Sequence, residues 1–207
     1  MDHKMKKLFS VLLACMMLLS LTACAAAEDN APRLAALSGP TAIGMIKVIN
    51  DAPENVEFTL AGAPDEITGS IIKGDFDIAC VPTNLAAVLY KKTEGAWKLA
   101  ALNTLGVLYI VETGEEIQSI QDLEGKTIWS SGKGSTPEYA LNYILEQNGV
   151  TANVEFASEH AEVAAHLAAG DASVAILPQP FVTSVLAQNE NVRVALDVTE
   201  EWNKASG

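Results

Sequence analysis

The sequence predicts an α/β protein whose two lobes face one ligand cleft. The main observation is an internal repeat, because residues 66–89 and residues 162–185 align without a gap at an offset of 96 residues. Each copy reads as a helix, a short apolar strand that ends at a proline, and the start of a second helix. A helix–strand–helix unit cannot bury both faces of its strand alone, so two copies imply two sheets. The alternative is a duplicated motif whose copies share no site.

The matching residues of the repeat indicate where its elements end. Glycine recurs at Gly74 and Gly170, where each helix should end because the left-handed conformation costs glycine least. Proline recurs at Pro82 and Pro178, directly after each strand. Ligands in α/β sheets gather at the carboxyl ends of strands, so the loops that begin at these prolines are predicted to face the cleft.

The first lobe, residues 32–106, is predicted from alternating and apolar runs. The predicted strands are residues 33–37, 56–60, 78–81 and 97–104, with helices near residues 43–49 and 66–73 and a third after Pro82. The last of these strands is followed by an extended run over residues 107–112, which we expect to pass into the second lobe.

The second lobe, residues 107–199, has the same alternation. It is predicted to contain a helical turn over residues 120–125, strands at 127–129, 153–156, 174–177 and 193–198, and the second repeat. Thr136 is predicted to cap a helix that ends at Gly149. Residues 200–207 would begin a return toward the first lobe.

Two polar loops each join a strand to a helix and are candidates for ligand contact. They are residues 38–41 and residues 130–138. Helix N-termini present N–H groups that suit an anion or a polar ligand edge, and the alternative is simple capping of the helix. The second loop is not a phosphate-binding P-loop, because Gly134 rather than Ser or Thr follows Lys133. Trp129, just before this loop, either stacks on a planar ligand or packs in the interior.

Composition and spacing argue against several other functions. The formal charge of −13 disfavours binding to nucleic acid or to anionic lipid headgroups. His160 and His166 are six residues apart, which is not the i, i+4 spacing of a zinc pair, so we expect surface histidines and no metal site. Asp75 and Asp77 follow a helix end and should be solvated. No residue is indicated as a nucleophile.

Residues 1–23 are predicted to be an export signal rather than part of the fold. Three lysines precede an apolar stretch over residues 8–19 that is too short to span a bilayer. The following cysteine, Cys24, ends a sequence, LTAC, that resembles the lipobox of bacterial lipoproteins. The resemblance implies that Cys24 is lipidated and anchors the chain at a membrane surface, with residues 24–31 as the lipidated tether. The alternative is an ordinary secretory signal with a chance cysteine.

Five motifs, taken together, carry a family resemblance. They are residues 38–41 (SGPT), 74–84 (GDFDIACVPTN), 105–109 (LGVLY), 132–138 (GKGSTPE) and 175–181 (AILPQPF). This set resembles bacterial ABC-transporter substrate-binding lipoproteins, in particular the branch similar to the nitrate, sulfonate and thiamine-precursor binding proteins. The resemblance implies a type II periplasmic-binding-protein fold, whose lobes close on a small solute and deliver it to membrane permease subunits. It further implies a monomer on the extracytoplasmic face of the membrane that is not an enzyme and needs no cofactor.

The resemblance and the loop positions together predict the residues that contact the solute. They are Ser38, Gly39, Thr41, Thr83 and Asn84 from the first lobe, and Ser131, Gly134, Ser135, Thr136 and Gln179 from the second. The solute is predicted to be small and anionic or heterocyclic. Two alternatives stay open: an enzyme on the same fold, similar to chorismate dehydratase or the thiamine-pyrimidine synthases, and a surface sensor that does not transport.

The sequence departs from the family pattern in two respects. Gln179 stands where a glutamate is expected in close relatives, so a contact that depends on charge is not predicted there. Members of the family are also longer, and their chain returns from the second lobe to complete the first. We therefore expect a C-terminally truncated chain with an incomplete first lobe and exposed apolar surface.

Overall fold

The computed structural model describes residues 31–51 and 53–207. The predicted export signal, Cys24 and residues 25–30 of the tether lie outside the described residues. Within the described part of the chain, no helix combines the length and the apolar character needed to cross a membrane.

Strands and helices alternate along most of the described chain. The elements of its first part are β1 (Arg33–Leu37), α1 (Pro40–Ile43), α2 (Ile46–Asp51), β2 (Glu57–Ala61), α3 (Pro64–Lys73), β3 (Ile78–Cys80) and α4 (Thr83–Lys92). Those of its second part are β4 (Leu108–Thr113), β5 (Thr127–Ser131), α5 (Thr136–Asn148), β6 (Asn153–Ala157), α6 (His160–Ala169), β7 (Val174–Pro178), α7 (Phe181–Gln188), β8 (Val192–Asp197) and α8 (Val198–Ser206). Short 3-10 helices lie at Pro53–Asn55 and Ile120–Leu123.

The first sheet has three parallel strands in the order β2–β1–β3. The central strand β1 is buried, and Leu34 pairs with Phe58 on one side and with Ile78 on the other. Helices α3 and α4 cover one face through a cluster that includes Ile67, Ile71 and Leu89. This sheet forms the core of the first lobe.

The second sheet has five strands in the order β6–β5–β7–β4–β8. Strand β4 runs antiparallel to β7 and to β8, whereas β5 is parallel to β6 and to β7. Separate apolar clusters cover its two faces, one around Ile144 of α5 and one around Leu167 of α6. Residues 32–207 form one compact unit that contains both sheets.

The internal repeat is present as two matching units. Gly74 and Gly170 both end their helices in the left-handed conformation, each with φ 83°, as predicted. The two strands differ in burial, because every residue of β7 is buried whereas Ile78 of β3 is 46% exposed. The difference arises because β3 pairs only with β1 among the described residues, whereas β7 lies between β5 and β4.

The predicted strand over residues 97–104 was wrong. This segment pairs with no strand among the residues that the structure describes, and hydrogen bonds from its side chains to neighbouring backbone hold it in place. Trp97 donates its indole N–H to Ile71 O at 2.9 Å, and Asn103 donates to Thr41 O at 3.0 Å. An alternating pattern cannot distinguish a paired strand from an extended segment that is held in this way.

Helix α8 was missed, because residues 200–207 were predicted only to begin a return. Asp197 caps this helix through hydrogen bonds from the backbone N–H groups of Thr199 and Glu200 to its Oδ1, at 2.8 and 3.3 Å. Trp202 of α8 packs on Tyr143 of α5, with ring centroids 4.4 Å apart. An aspartate followed by two glutamates in the first turn is a helix-start signal that the sequence contained.

Candidate functional site

A cleft with a volume of about 570 Å³ lies between the two sheets. Both sheets turn the carboxyl ends of parallel strands toward it, so the loops after β1, β3, β5 and β7 come together there. Of the ten predicted contact residues, five line the cleft: Ser38, Thr41, Thr83, Asn84 and Thr136. The two predicted lobes therefore bring polar groups from distant parts of the chain to one site.

Asn84 connects the two sides of the cleft. Its Nδ2 donates to Gly134 O at 2.7 Å, and its Oδ1 accepts a hydrogen bond from Thr136 Oγ1 at 3.3 Å. Gly39 contributes a second close approach, since a Cβ on it would lie 3.2 Å from the Phe181 ring. These contacts join the two sides of the cleft.

Replacing Asn84 with alanine is expected to lower the free energy of unfolding by about 1–2 kcal/mol, because two hydrogen bonds across the cleft are lost. Chemical denaturation of the wild-type protein and of the Asn84→Ala variant measures the difference in the free energy of unfolding. Gln188→Ala is the matched control, since the Gln188 amide donates to Ser184 within α7 and its loss should cost less. An Asn84→Ala variant as stable as the control variant would contradict the assigned connection.

The lining of the cleft does not include the other predicted contact residues, which are Gly39, Ser131, Gly134, Ser135 and Gln179. Ser131 and Ser135 are buried. Ser135, rather than Thr136, occupies the N-cap position of α5. Gln179 accepts hydrogen bonds from Thr183 N and Thr183 Oγ1, at 3.3 and 2.8 Å, so its side-chain oxygen caps α7. Thr41 also has its hydroxyl engaged, since it donates to Leu37 O at 2.8 Å.

His160 is a cleft residue that the sequence analysis missed. It is half-buried, it lines the cleft, and its Nδ1 contacts Ser131 Oγ. Its ring packs on Phe181 with centroids 5.4 Å apart. Burial lowers the pKa of His160 to about 4, so the imidazole is neutral at neutral pH.

The prediction of two surface histidines was therefore wrong. His166 is also half-buried, with its ring 4.5 Å from that of Trp129, and Trp129 packs among the interior residues behind the cleft. The internal repeat contained a signal for His160, because the offset of 96 aligns it with Pro64, the first residue of α3. The start of a helix that follows a parallel strand lies at the carboxyl edge of the sheet.

Segments outside the predicted loops supply the rest of the wall. The irregular chain after α4 contributes Leu99, Leu102 and Asn103, and α8 contributes Val198 and Trp202. Most of the lining is apolar, and its described part includes no Asp, Glu, Lys or Arg side chain. In the same described ranges, no group of three or more His, Cys, Asp or Glu residues is arranged to hold a metal ion.

Residues 47–203 match the family described as "ABC transporter, phosphonate, periplasmic substrate-binding protein". The chain belongs to this family. The predicted resemblance to ABC-transporter substrate-binding proteins is thus confirmed at the level of the family. No curated protein sequence matches this chain.

Several solved structures resemble this chain. An ABC transporter protein from Parabacteroides distasonis is 26% identical with a TM-score of 0.64, over 81% of this chain and 59% of that one. The aliphatic sulphonate binding protein SsuA from Escherichia coli is 18% identical with a TM-score of 0.58, over 82% of this chain and 60% of that one. The nitrate-binding protein NrtA from Synechocystis is 12% identical with a TM-score of 0.56, over 76% and 49%.

These likenesses confirm the predicted fold class, a type II periplasmic-binding-protein fold with two α/β lobes and a cleft between them. The present chain spans about three fifths of the length of the Parabacteroides distasonis and Escherichia coli proteins.

Proposed function

We propose that the protein is the solute-binding component of an ABC importer, which captures a small solute between its two lobes and delivers it to permease subunits. The observation that supports this best is the cleft between the two lobes, where Asn84 of one lobe hydrogen-bonds to Gly134 and Thr136 of the other. A solute that touches both sides stabilises only the closed form, so binding shifts the population toward it. Membership in the family of periplasmic substrate-binding proteins supports the same function.

The proposal includes the finer features that the sequence predicts. The protein is exported, is lipidated at Cys24, and acts as a monomer on the extracytoplasmic face of the membrane. It is a binding protein rather than an enzyme, and it belongs near the nitrate, sulfonate and thiamine-precursor binders. Incorporation of a labelled fatty acid into the wild-type chain but not into a Cys24→Ser variant tests the anchor.

A thermal-shift screen of the purified 207-residue chain tests solute binding. The probes are nitrate, methylphosphonate, taurine, uracil and succinate. A solute at a hundred times its dissociation constant stabilises by about 2.7 kcal/mol, which raises the melting temperature by several degrees. A dose-dependent shift with one probe supports the proposal.

Two tryptophan variants locate the binding site. Ala101→Trp places a large ring into the cleft and should abolish the shift, because Ala101 lines it. Ala187→Trp is the control, since Ala187 is exposed on α7 away from the cleft. A shift that survives Ala101→Trp would place binding elsewhere and would count against the proposed site.

A further inference from the structure

The chain that leads from the first lobe to the second is held to the first lobe as far as Thr104. Asn103 Nδ2 donates a hydrogen bond to Thr41 O at 3.0 Å. Thr104 Oγ1 donates to Pro40 O, also at 3.0 Å. Asn103 packs closely on Gly44, since a Cβ on this glycine would lie 2.7 Å from Asn103 Nδ2. The φ of Gly44 is −59°, which any residue can adopt, so glycine is required there for space.

The second lobe holds the chain again from Val107 onward. Val107 O accepts a hydrogen bond at 3.1 Å from Gln179 N, which follows β7, and β4 begins at the next residue, Leu108. Leu105 and Gly106 lie between the two held segments. Leu105 is 78% exposed, and Gly106 has a φ of 39°, in the left-handed region that favours glycine. A change in the angle between the lobes would therefore fall on the backbone of these two residues.

The side chain of Thr199 fills the space beside Gly106. A Cβ on Gly106 would lie 2.6 Å from Thr199 Oγ1 and 3.3 Å from Thr199 Cγ2. Thr199 is the second residue of α8, and its backbone N–H donates to Asp197 Oδ1 at 2.8 Å. Further along α8, Trp202 packs on Tyr143 of α5. The second lobe thus places a fixed side chain against the connection between the lobes.

We propose that Thr199 is a positioning residue that sets the angle between the two lobes, because its side chain limits how far the connection can turn at Gly106. This inference rests on the proposed function, in which both lobes contact one solute. Without the side chain, the lobes sample a wider range of angles. The arrangement that contacts the solute from both sides is then less populated, and the apparent affinity falls by that fraction.

The test measures the distance between the lobes directly, by double electron–electron resonance between two spin labels. The labels are attached at Lys92→Cys and Glu146→Cys, two exposed positions on α4 and α5, in a 207-residue chain whose three natural cysteines are replaced by serine. Thr199 and Gly106 also line the cleft, so the measurement is made without solute. Its outcome is therefore independent of whether the protein binds a solute, which the thermal-shift screen decides.

Substitutions of Thr199 test its role. Thr199→Ala should widen the distance distribution. Thr199→Val, which keeps the shape of the side chain without the hydroxyl, should give the wild-type distribution. Thr151→Ala, at an exposed threonine of the same lobe, is the matched control, and circular dichroism checks that each variant is folded. A distribution for Thr199→Ala as narrow as that of Thr151→Ala would overturn the proposal, and so would a Thr199→Val distribution as wide as that of Thr199→Ala.

A second pair of variants approaches the same contact from the side of the connection. Gly106→Ala should move the mean distance by a few ångströms, because the new methyl group meets Thr199 Oγ1. Adding Thr199→Ala should reverse this shift, since the Cβ of residue 199 lies 3.4 Å away, at an ordinary contact distance. The backbone strain of alanine at this φ is present in both proteins, so the comparison isolates the contact. An equal shift in the single and the double variant would overturn the proposal.

Discussion

Replacing Arg193 with alanine is expected to destabilise the protein by about 3–5 kcal/mol, because it leaves a buried carboxylate without its cation. Glu112 is 2% exposed, and its Oε1 accepts a hydrogen bond from Arg193 Nη2 at 2.5 Å. The same guanidinium donates to Ile117 O at 2.6 Å and to Gly114 O at 3.2 Å. The arginine thus joins β8 to the turn after β4.

Chemical denaturation of the wild-type protein and of the Arg193→Ala variant measures this loss of stability. Lys47→Ala is the control, because Lys47 and Asp51 form an exposed ion pair within α2, for which the expected loss is about 0.3–0.5 kcal/mol. An Arg193→Ala variant no less stable than Lys47→Ala would show that Glu112 does not depend on this partner.

The second large effect is a loss of stability in acid that depends on His160. Its folded pKa of about 4 lies below the ordinary value of 6.5, so between these two values the unfolded chain binds more protons than the folded chain. The contribution of the neutral ring is complete above about pH 6.5 and declines as the pH falls toward 4. At about 1.4 kcal/mol for each unit of pKa, the full loss is about 3 kcal/mol.

The residues packed on the ring, Gly39, Ser131 and Phe181, do not titrate in this range, so the effect belongs to the histidine. Denaturation at pH 7.5 and at pH 4.5 measures it, and carboxylates that protonate in the same range make a variant necessary. His160→Gln should lose less stability between these pH values than wild type. Equal losses for wild type and His160→Gln would refute the buried neutral imidazole.

The sequence predicted most of the fold because its signals are local. The glycines at 74 and 170 need a left-handed conformation, and the apolar runs before the two prolines form strands. The segment over 97–104 was misassigned because a strand is defined by its partner. Periodicity along one segment contains no information about what lies beside it.

The sequence predicted which loops lie around the cleft, but it did not predict which side chains line it. The loops after four strands could be placed because strand ends meet at one edge of each sheet. Which side chains face the cleft depends on tertiary contacts, as Gln179 shows by capping α7 with its own oxygen. The burial that makes His160 neutral arises only when Gly39 and Phe181 approach it from different parts of the chain.

The two copies of the internal repeat occupy unequal positions, and this gives them unequal tolerance to sequence change. The strand of the second copy lies inside a five-stranded sheet, where Ala175 and Ile176 are inaccessible to solvent and a polar side chain would be buried. Among the described residues, the strand of the first copy lies at a sheet edge, where Ile78 is 46% exposed and a polar replacement would stay in contact with solvent. Variation should therefore accumulate in the first copy, while the second keeps its apolar character.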